Sequence, residues 1–232
     1  MTLSLFSFRS ILALHPSLTR HNTFKFIQFS SSTTKLHSTN RDTETIMKKV
    51  LVPIAQDSEE IETACITDTL TRFGAHVVVA SIQPHGNLVC KMSRGLKIMA
   101  DISIEDAAKE EWDLIALPGG MPGATYLRDC KILIDLLKQQ QNKGKFYGAI
   151  CASPSVVLAH HHLVEEGATC YPADNLRNQM KHPRDTDVVV QGNVITSQGP
   201  GTSLIFALKL GELLYGKSHA DKIAQALLVK YN

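Results

Sequence analysis

The stretch FYGAICASPSVVLAHHHL, residues 146–163, places a cysteine between an apolar run and a segment of helix-forming residues. Residues 146–150 predict a short buried strand. Residues 152–160 predict a helix that tolerates Pro154, because a proline in the first helical turn gives up no hydrogen bond. Cys151 therefore stands at a strand-to-helix joint that resembles a nucleophile elbow with cysteine in place of serine. The N–H groups and dipole of the next helix are expected to favour a thiolate there.

Short apolar runs alternate with longer amphipathic stretches on both sides of this joint. Strands that alternate with helices predict an α/β fold, a mostly parallel sheet with helices on both faces and a functional site at the carboxyl ends of the strands. The predicted strands are residues 49–55, 75–82, 113–117 and 146–150, followed by a hairpin over 188–196 that turns at residues 191–193. The predicted helices are residues 59–73, 126–141, 152–160 and 203–215, and a last helix from Ser218, where S-x-x-D indicates a capping box.

Four of the predicted strand ends carry residues capable of chemistry. The first ends in AQDSEEIE (55–62), and it lacks the G-x-G-x-x-G that a nucleotide site needs at this place. Its acidic side chains would repel phosphate, which argues against nucleotide binding. Glu59 and Glu60 are typical of a helix start, where the dipole favours negative charge. Glu62 lies one turn further, where it faces either the sheet or solvent.

Two glycine-rich strand ends each leave two interpretations open. Gly119 and Gly120 in PGGMPG can bring backbone N–H groups against a reacting atom, as an oxyanion hole requires, or they form a simple tight turn. GPGTS, residues 199–203, predicts either a turn with a threonine helix cap or an anion-binding nest.

The composition is that of an ordinary globular chain of one domain, with 232 residues, 44% hydrophobic and 20% charged. A net charge of +2 with no clustered Lys and Arg argues against a nucleic-acid complex. Residues 1–40 are basic, rich in Ser and Thr and free of Asp and Glu, so residues 1–46 predict a transit peptide for a chloroplast or mitochondrion. The alternatives are a disordered leader, or a cytoplasmic protein that starts at Met47. No apolar run approaches the ~20 residues of a membrane span.

The cysteines and histidines predict no metal site and no disulfide framework. The five cysteines are odd in number, scattered and never paired as C-x-x-C. His160, His161 and His162 fan out around a helix axis and cannot converge on one ion. Cys90 and Cys130 are interpreted as small buried apolar residues.

Four motifs in order resemble the ThiJ/PfpI superfamily, and more closely its Parkinsonism-associated deglycase branch. They are EEIET at 59–63, LPGGMPGA at 117–124, AICASP at 149–154 and ITSQGPGTSLIFAL at 195–208. The resemblance runs from about Met47 to the C-terminus, over a predicted domain of residues 47–232. It implies a flavodoxin-like three-layer sandwich of the class I glutamine amidotransferase-like kind, usually a homodimer. The chain is most similar to plant forms, which often join two such domains.

The resemblance also implies roles for individual residues. The family's nucleophile matches Cys151, its carboxylic partner matches Glu62, and its oxyanion amides match Gly120 and Ala152. A buried, protonated Glu62 would donate a hydrogen bond to the sulfur and stabilise its anion. Three further positions, Gly119, Tyr171 and Pro200, are expected to form the substrate pocket.

Two positions depart from the family pattern. Ala152 follows the cysteine where protease-like members have His, so peptidase chemistry is not implied. Tyr171 stands where several deglycase-branch members have a nearby His, which leaves proton transfer to Glu62 or water.

The resemblance implies a cofactor-independent enzyme that converts methylglyoxal or glyoxal to a hydroxy acid through a Cys151 hemithioacetal, with Glu62 moving the proton. Its expected partners are small reactive aldehydes, or glycated protein and nucleotide adducts, and a second copy of the chain, with neither nucleic acid nor membrane. The alternative is an oxidative-stress sensor or redox-regulated chaperone, in which Cys151 is oxidised to a sulfinate.

Overall fold

The computed structural model describes residues 47–231. Seven of its nine strands form one sheet in the order β5-β2-β1-β6-β7-β9-β8, and β3 and β4 form a separate antiparallel pair. The strands are β1 Lys49–Ile54, β2 His76–Ser81, β3 Val89–Lys91, β4 Lys97–Met99, β5 Ile102–Ser103, β6 Leu114–Leu117, β7 Phe146–Ile150, β8 Val188–Gln191 and β9 Val194–Ser197. Every pairing in the large sheet is parallel except that of β8 with β9.

Helices cover both faces of this sheet. They are α1 Glu60–Arg72, α2 Ile104–Ala107, α3 Gly123–Asp129, α4 Lys131–Asn142, α5 Asp174–Arg177, α6 Ser203–Tyr215 and α7 Lys217–Ala226, with a π-helical turn at Pro154–Ala159 and 3₁₀ turns at Pro84–Gly86 and Pro200–Thr202. The five parallel strands β2-β1-β6-β7-β9 follow the flavodoxin-like order 2-1-3-4-5. The predicted α/β sandwich is therefore confirmed.

Alternate residues of each strand serve two cores, one on each face of the sheet. Leu51 and Ile115 belong to the core that contains the apolar residues of α4, whereas Val50 and Leu114 belong to the core that contains those of α1 and α6. Because both faces are buried, the central strands are continuous apolar runs.

The structure corrects two predicted helices. The helix predicted over 126–141 is interrupted at Cys130, whose backbone is extended (φ −78°, ψ 96°), and the chain there forms α3 and then α4. Cys130 packs against the apolar core at this break. The last helix begins at Lys217 instead of being capped by Ser218, because Gly216 turns the chain at a positive φ of 89°.

The segment between β2 and β6 contains elements that the sequence pattern did not predict. Strands β3, β4 and β5 and the short helix α2 all lie there. Two or three residues are too few for hydrophobic periodicity to mark a strand.

The predicted leader, residues 1–46, lies outside the described residues. Within residues 47–231, no helix is both long enough and apolar enough to cross a membrane.

Candidate active site

Cys151 adopts a left-handed backbone conformation directly after β7, with φ of 64°. A non-glycine residue in this region costs on the order of 1–3 kcal/mol and persists only where its surroundings hold it. The Cys151 N–H donates to the carbonyl of Ser197 at 3.0 Å, and its carbonyl accepts from the N–H of Tyr171 at 2.8 Å. The half-buried cysteine is therefore fixed at the tip of the sheet by neighbours on both sides.

The two glycines after β6 pack against this elbow and against the loop before α1. A Cβ on Gly119 would lie 2.6 Å from the Cβ of Cys151, and one on Gly120 would lie 2.3 Å from the carbonyl oxygen of Asp57. Both distances are too short for any side chain, and Gly120 also has a positive φ of 89°. The close approach brings three loops of the sheet edge together.

Glu62 is completely buried on α1 beneath the elbow. Its Oε2 accepts the N–H of Gly119 at 2.6 Å, and its backbone N–H donates to the helix-capping carboxylate of Glu59 at 2.7 Å. The carboxyl group contacts the Cys151 thiol. Among the described residues, its Oε1 has no hydrogen-bond partner, so this oxygen remains free to take up a proton.

Burial raises the pKa of Glu62 to about 7. The N–H of Gly119 and the Cys151 thiol oppose this shift, and the negative charge of Glu59 adds to it. A carboxyl group with this pKa exchanges protons readily near neutral pH.

Burial of Cys151 acts against the predicted resting thiolate. Burial, together with the charge of ionised Glu62, raises the pKa of the Cys151 thiol to about 12, although the backbone N–H groups of Gly120 and Ala152 oppose the shift. A negative charge on either the thiol or the neighbouring carboxyl group disfavours a negative charge on the other. The raised pKa favours the thiol form of Cys151, next to a base.

The predicted site residues divide into two layers. Cys151, Gly120, Ala152, Tyr171 and Pro200 line one cavity of about 440 Å³. The predicted pocket residue Gly119 does not line this cavity but lies behind it with Glu62, where the two are hydrogen-bonded to each other.

Arg94 and Ser93 also line the cavity, and no sequence motif indicated them because their hairpin was not predicted. Glu60 holds this hairpin in place. Its carboxylate accepts the Ser93 hydroxyl at 2.9 Å and the Arg94 N–H at 2.8 and 3.0 Å. Glu60 thus does more than begin a helix.

The GPGTS segment is a turn stabilised by its threonine. Thr202 Oγ1 accepts the N–H of Gly199 at 3.1 Å and lies 2.7 Å from the hydroxyl of Ser197. Because these groups bond to one another, the turn interpretation applies here, but the predicted threonine cap does not form, since the Thr202 side chain makes no capping hydrogen bond to α6.

The histidine run lies away from the cavity. The rings of His160 and His161 meet edge to face at 4.8 Å, and the His161 ring nitrogen lies 2.9 Å from the Arg128 carbonyl oxygen. In residues 47–231, no group of three His, Cys, Asp or Glu side chains is placed to hold a metal ion.

A cysteine elbow beside a buried glutamate, at the carboxyl edge of a flavodoxin-like sheet, defines a class of α/β proteins built to use a cysteine. The chain belongs to the DJ-1/PfpI family, whose model matches residues 48–213. The resemblance inferred from the four motifs is confirmed.

Three relatives illustrate the match. Protein DJ-1 homolog B of Arabidopsis thaliana is 43% identical over 183 residues, which are 78% of this chain and 41% of the relative, so the chain spans less than half of that protein. The glutathione-independent glyoxalase DJR-1.2 of Caenorhabditis elegans is 37% identical over 77% of this chain and 94% of the relative. The structure of oxidized Toxoplasma gondii DJ-1 superposes with a TM-score of 0.76 at 46% identity, covering 79% of this chain and all of that one.

Proposed function

We propose that this protein is a cofactor-independent glyoxalase that converts methylglyoxal or glyoxal to the hydroxy acid at Cys151. The observation that carries the proposal is the free Oε1 of Glu62, a buried carboxyl group with a raised pKa in contact with the Cys151 thiol. A relative named as a glutathione-independent glyoxalase supports the same chemistry.

In the first step, the Cys151 sulfur attacks the aldehyde carbon while Glu62 accepts the thiol proton. The new C–S bond displaces the carbonyl electron pair onto oxygen, where the N–H groups of Gly120 and Ala152 can stabilise the negative charge. Glu62 then returns the proton to this oxygen, which completes a hemithioacetal. A base that titrates near neutrality suits both halves of the exchange.

In the second step, Glu62 removes the hydrogen from the carbon bonded to sulfur and delivers a proton to the neighbouring carbon, while the hydroxyl proton of the hemithioacetal moves to the neighbouring carbonyl oxygen. The carbonyl group thereby moves to the sulfur-bearing carbon, and the product is a 2-hydroxy thioester. Water then cleaves the C–S bond, releasing the hydroxy acid and restoring the Cys151 thiol. Atoms and electrons balance without an external oxidant or reductant.

Loss of early glyoxal adducts from proteins and nucleotides follows from the same chemistry. These adducts form reversibly, so removal of free aldehyde by Cys151 shifts the equilibrium toward dissociation of the adducts. Direct attack on the adduct is the competing route, and it predicts that adduct loss exceeds the rate of spontaneous aldehyde release.

The test is lactate formation from methylglyoxal by the wild type, Cys151→Ala and Glu62→Ala. We expect Cys151→Ala to abolish lactate formation above background, since it removes the nucleophile, and Glu62→Ala to lower it by ~10²-fold, since it removes the base. Retention of the wild-type rate in Cys151→Ala would end the proposal.

A second candidate function is oxidation sensing, supported by the relative whose structure is described as oxidized. The N–H groups of Gly120 and Ala152 that face the Cys151 sulfur could hold the oxygens of a sulfinate. Mass spectrometry after mild peroxide tests this, and oxidation of all five cysteines to the same extent would contradict it.

We further propose that the chain pairs with a second copy through the β3–β4 hairpin and α1. Val89 and Met99, which face each other across the hairpin, are 42% and 74% exposed, and Ile61 on α1 is 52% exposed. Hydrogen bonds from Glu60 hold the hairpin against α1, so these apolar side chains belong to adjoining elements. Met99→Lys should shift the protein toward monomer in sedimentation analysis; an unchanged mass would contradict the pairing through this surface.

A further inference from the structure

Tyr171 provides a fixed aromatic ring beside the nucleophile. Its N–H donates to the Cys151 carbonyl at 2.8 Å, and its ring lies over Gly199, where a Cβ would approach the ring to 3.2 Å. The side chain is nevertheless 45% exposed, and it lines the same cavity as Cys151. The ring is thus held from behind and free on the side facing the cavity.

The cavity is larger than the three-carbon aldehyde methylglyoxal requires. Its volume of about 440 Å³ falls within the ~300–1,000 Å³ typical of pockets that hold much larger ligands. Methylglyoxal bound at Cys151 would leave most of this space to solvent.

Apolar side chains form part of the cavity lining beside the polar Ser93 and Asn175. Tyr171, Pro200 and Met121 are among them, and Met121 is 54% exposed in spite of its hydrophobic side chain. The charged residues of the cavity, Arg94 and Glu59, have opposite signs, so the cavity has no single charge to select an ionic substrate. Exposed apolar and aromatic side chains around a pocket are instead suited to an apolar ligand group.

We infer that Tyr171 determines substrate specificity, and that with Met121 and Pro200 it binds the R group of bulky apolar or aromatic 2-oxoaldehydes, R–CO–CHO, whose aldehyde carbon reacts at Cys151. This inference rests on the proposed glyoxalase function. The R group contacts the ring equally before and during the reaction, so the contact acts mainly on KM.

The experiment compares kcat/KM for phenylglyoxal and methylglyoxal, from initial rates of hydroxy acid formation. Tyr171→Ala should lower the ratio of the two values about tenfold, chiefly through a higher KM for phenylglyoxal, because it removes both the buried area and the aromatic contact of the ring. Tyr171→Phe should keep the ratio. The matched control is Tyr126→Ala, because Tyr126 is 46% exposed but lines a different cavity, and it should keep the ratio as well. A ratio unchanged in Tyr171→Ala would overturn the inference.

A binding measurement separates failure of this inference from failure of the glyoxalase function. If the wild type turns over neither aldehyde, the proposed function fails, and binding of the two product acids, mandelate and lactate, to the Cys151→Ala protein still tests the subsite. Weaker mandelate binding after adding Tyr171→Ala, with a smaller change for lactate, would support it. Equal mandelate affinity with and without Tyr171 would overturn it.

Discussion

Cys130 stands between α3 and α4, Cys151 follows β7 and precedes the π-helical turn at Pro154–Ala159, and each cysteine is half-buried. Burial raises the pKa of both thiols, and each sulfur lies near two backbone N–H groups, those of Ile132 and Leu133 for Cys130 and those of Gly120 and Ala152 for Cys151. They differ in the acid beside them. Cys151 contacts the buried carboxyl group of Glu62, whereas the carboxylate that acts on Cys130, that of Glu105, does so only through its charge.

The comparison teaches that nearby backbone N–H groups alone do not lower the pKa of a cysteine in this fold. Desolvation outweighs the N–H groups at both positions, which favours the thiol form of each cysteine. A base must then accept the proton during the reaction, and only Cys151 contacts a carboxyl group with a pKa of about 7.

The largest expected effect comes from exchanging the sulfur at each position. Cys151→Ser should lower kcat/KM for methylglyoxal by ~10³-fold or more, because Glu62 is too weak a base to activate a hydroxyl group. Cys130→Ser should stay close to the wild-type rate in the same lactate assay. Comparable losses in the two variants would show that the acid does not distinguish these cysteines.

Replacing the base should lower the rate less and change its pH dependence. In the wild type, kcat/KM should rise with pH through about 7 and then level off, as Glu62 loses its proton. Glu62→Gln should lower the plateau by ~10²-fold, within the range for general bases, and should remove this inflection. An inflection near 7 that survives in Glu62→Gln would assign the base to another group.

The same substitution should increase stability at high pH. Folding raises the pKa of Glu62 from an ordinary 4.5 to about 7, so the folded chain binds the proton more tightly, and stability is lost as pH rises from 4.5 to 7. Above pH 7, ionised Glu62 costs about 3 kcal/mol, from about 1.4 kcal/mol for each pKa unit. Glu62→Gln should therefore unfold at higher urea concentration than the wild type at pH 8.

Two controls accompany this measurement. The advantage of Glu62→Gln should shrink toward zero at pH 4, where the wild-type carboxyl group is protonated in both states. Glu110→Gln should change stability in the opposite direction, because Lys49 lies 2.8 Å from this exposed carboxylate and holds its pKa below the usual range. A Glu62→Gln protein less stable than the wild type at pH 8 would show that the charge of ionised, buried Glu62 does not destabilise the folded state.

The fold was predictable because its central strands are buried on both faces and stand out as apolar runs between helices. The elbow was predictable for a related reason, since Cys151 falls where one such run ends and a helix-forming segment begins. The sequence pattern here indicates the order of strands and helices and the residues that lie where one element ends and the next begins.

Two parts of the site depend on tertiary structure that the pattern does not reveal. Arg94 reaches the cavity on a hairpin whose strands have three residues each, and Glu60 holds it there. The protonation of Cys151 depends on how completely Glu62 is buried and on which group holds the charge. The family resemblance implied that these two residues meet, but the direction of the pKa shift depends on their burial.

The smallest expected effect is on the pKa of the base itself. Glu59 caps α1 with its carboxylate, and its negative charge is one cause of the raised pKa of Glu62. Glu59→Gln keeps an oxygen able to accept the Glu62 N–H but removes the charge, so the inflection in kcat/KM should move to lower pH.

Asp57→Asn is the matched control in the same loop. Its charge is not among the causes of the Glu62 shift, and asparagine tolerates the positive φ of 59° at this position. The control should leave the inflection at the wild-type pH. If both variants moved the inflection by the same amount, the cause would be the total charge near the cavity and not Glu59 in particular. If Glu59→Gln alone moved it, Glu59 would be one specific reason why the acid beside Cys151 titrates near neutrality.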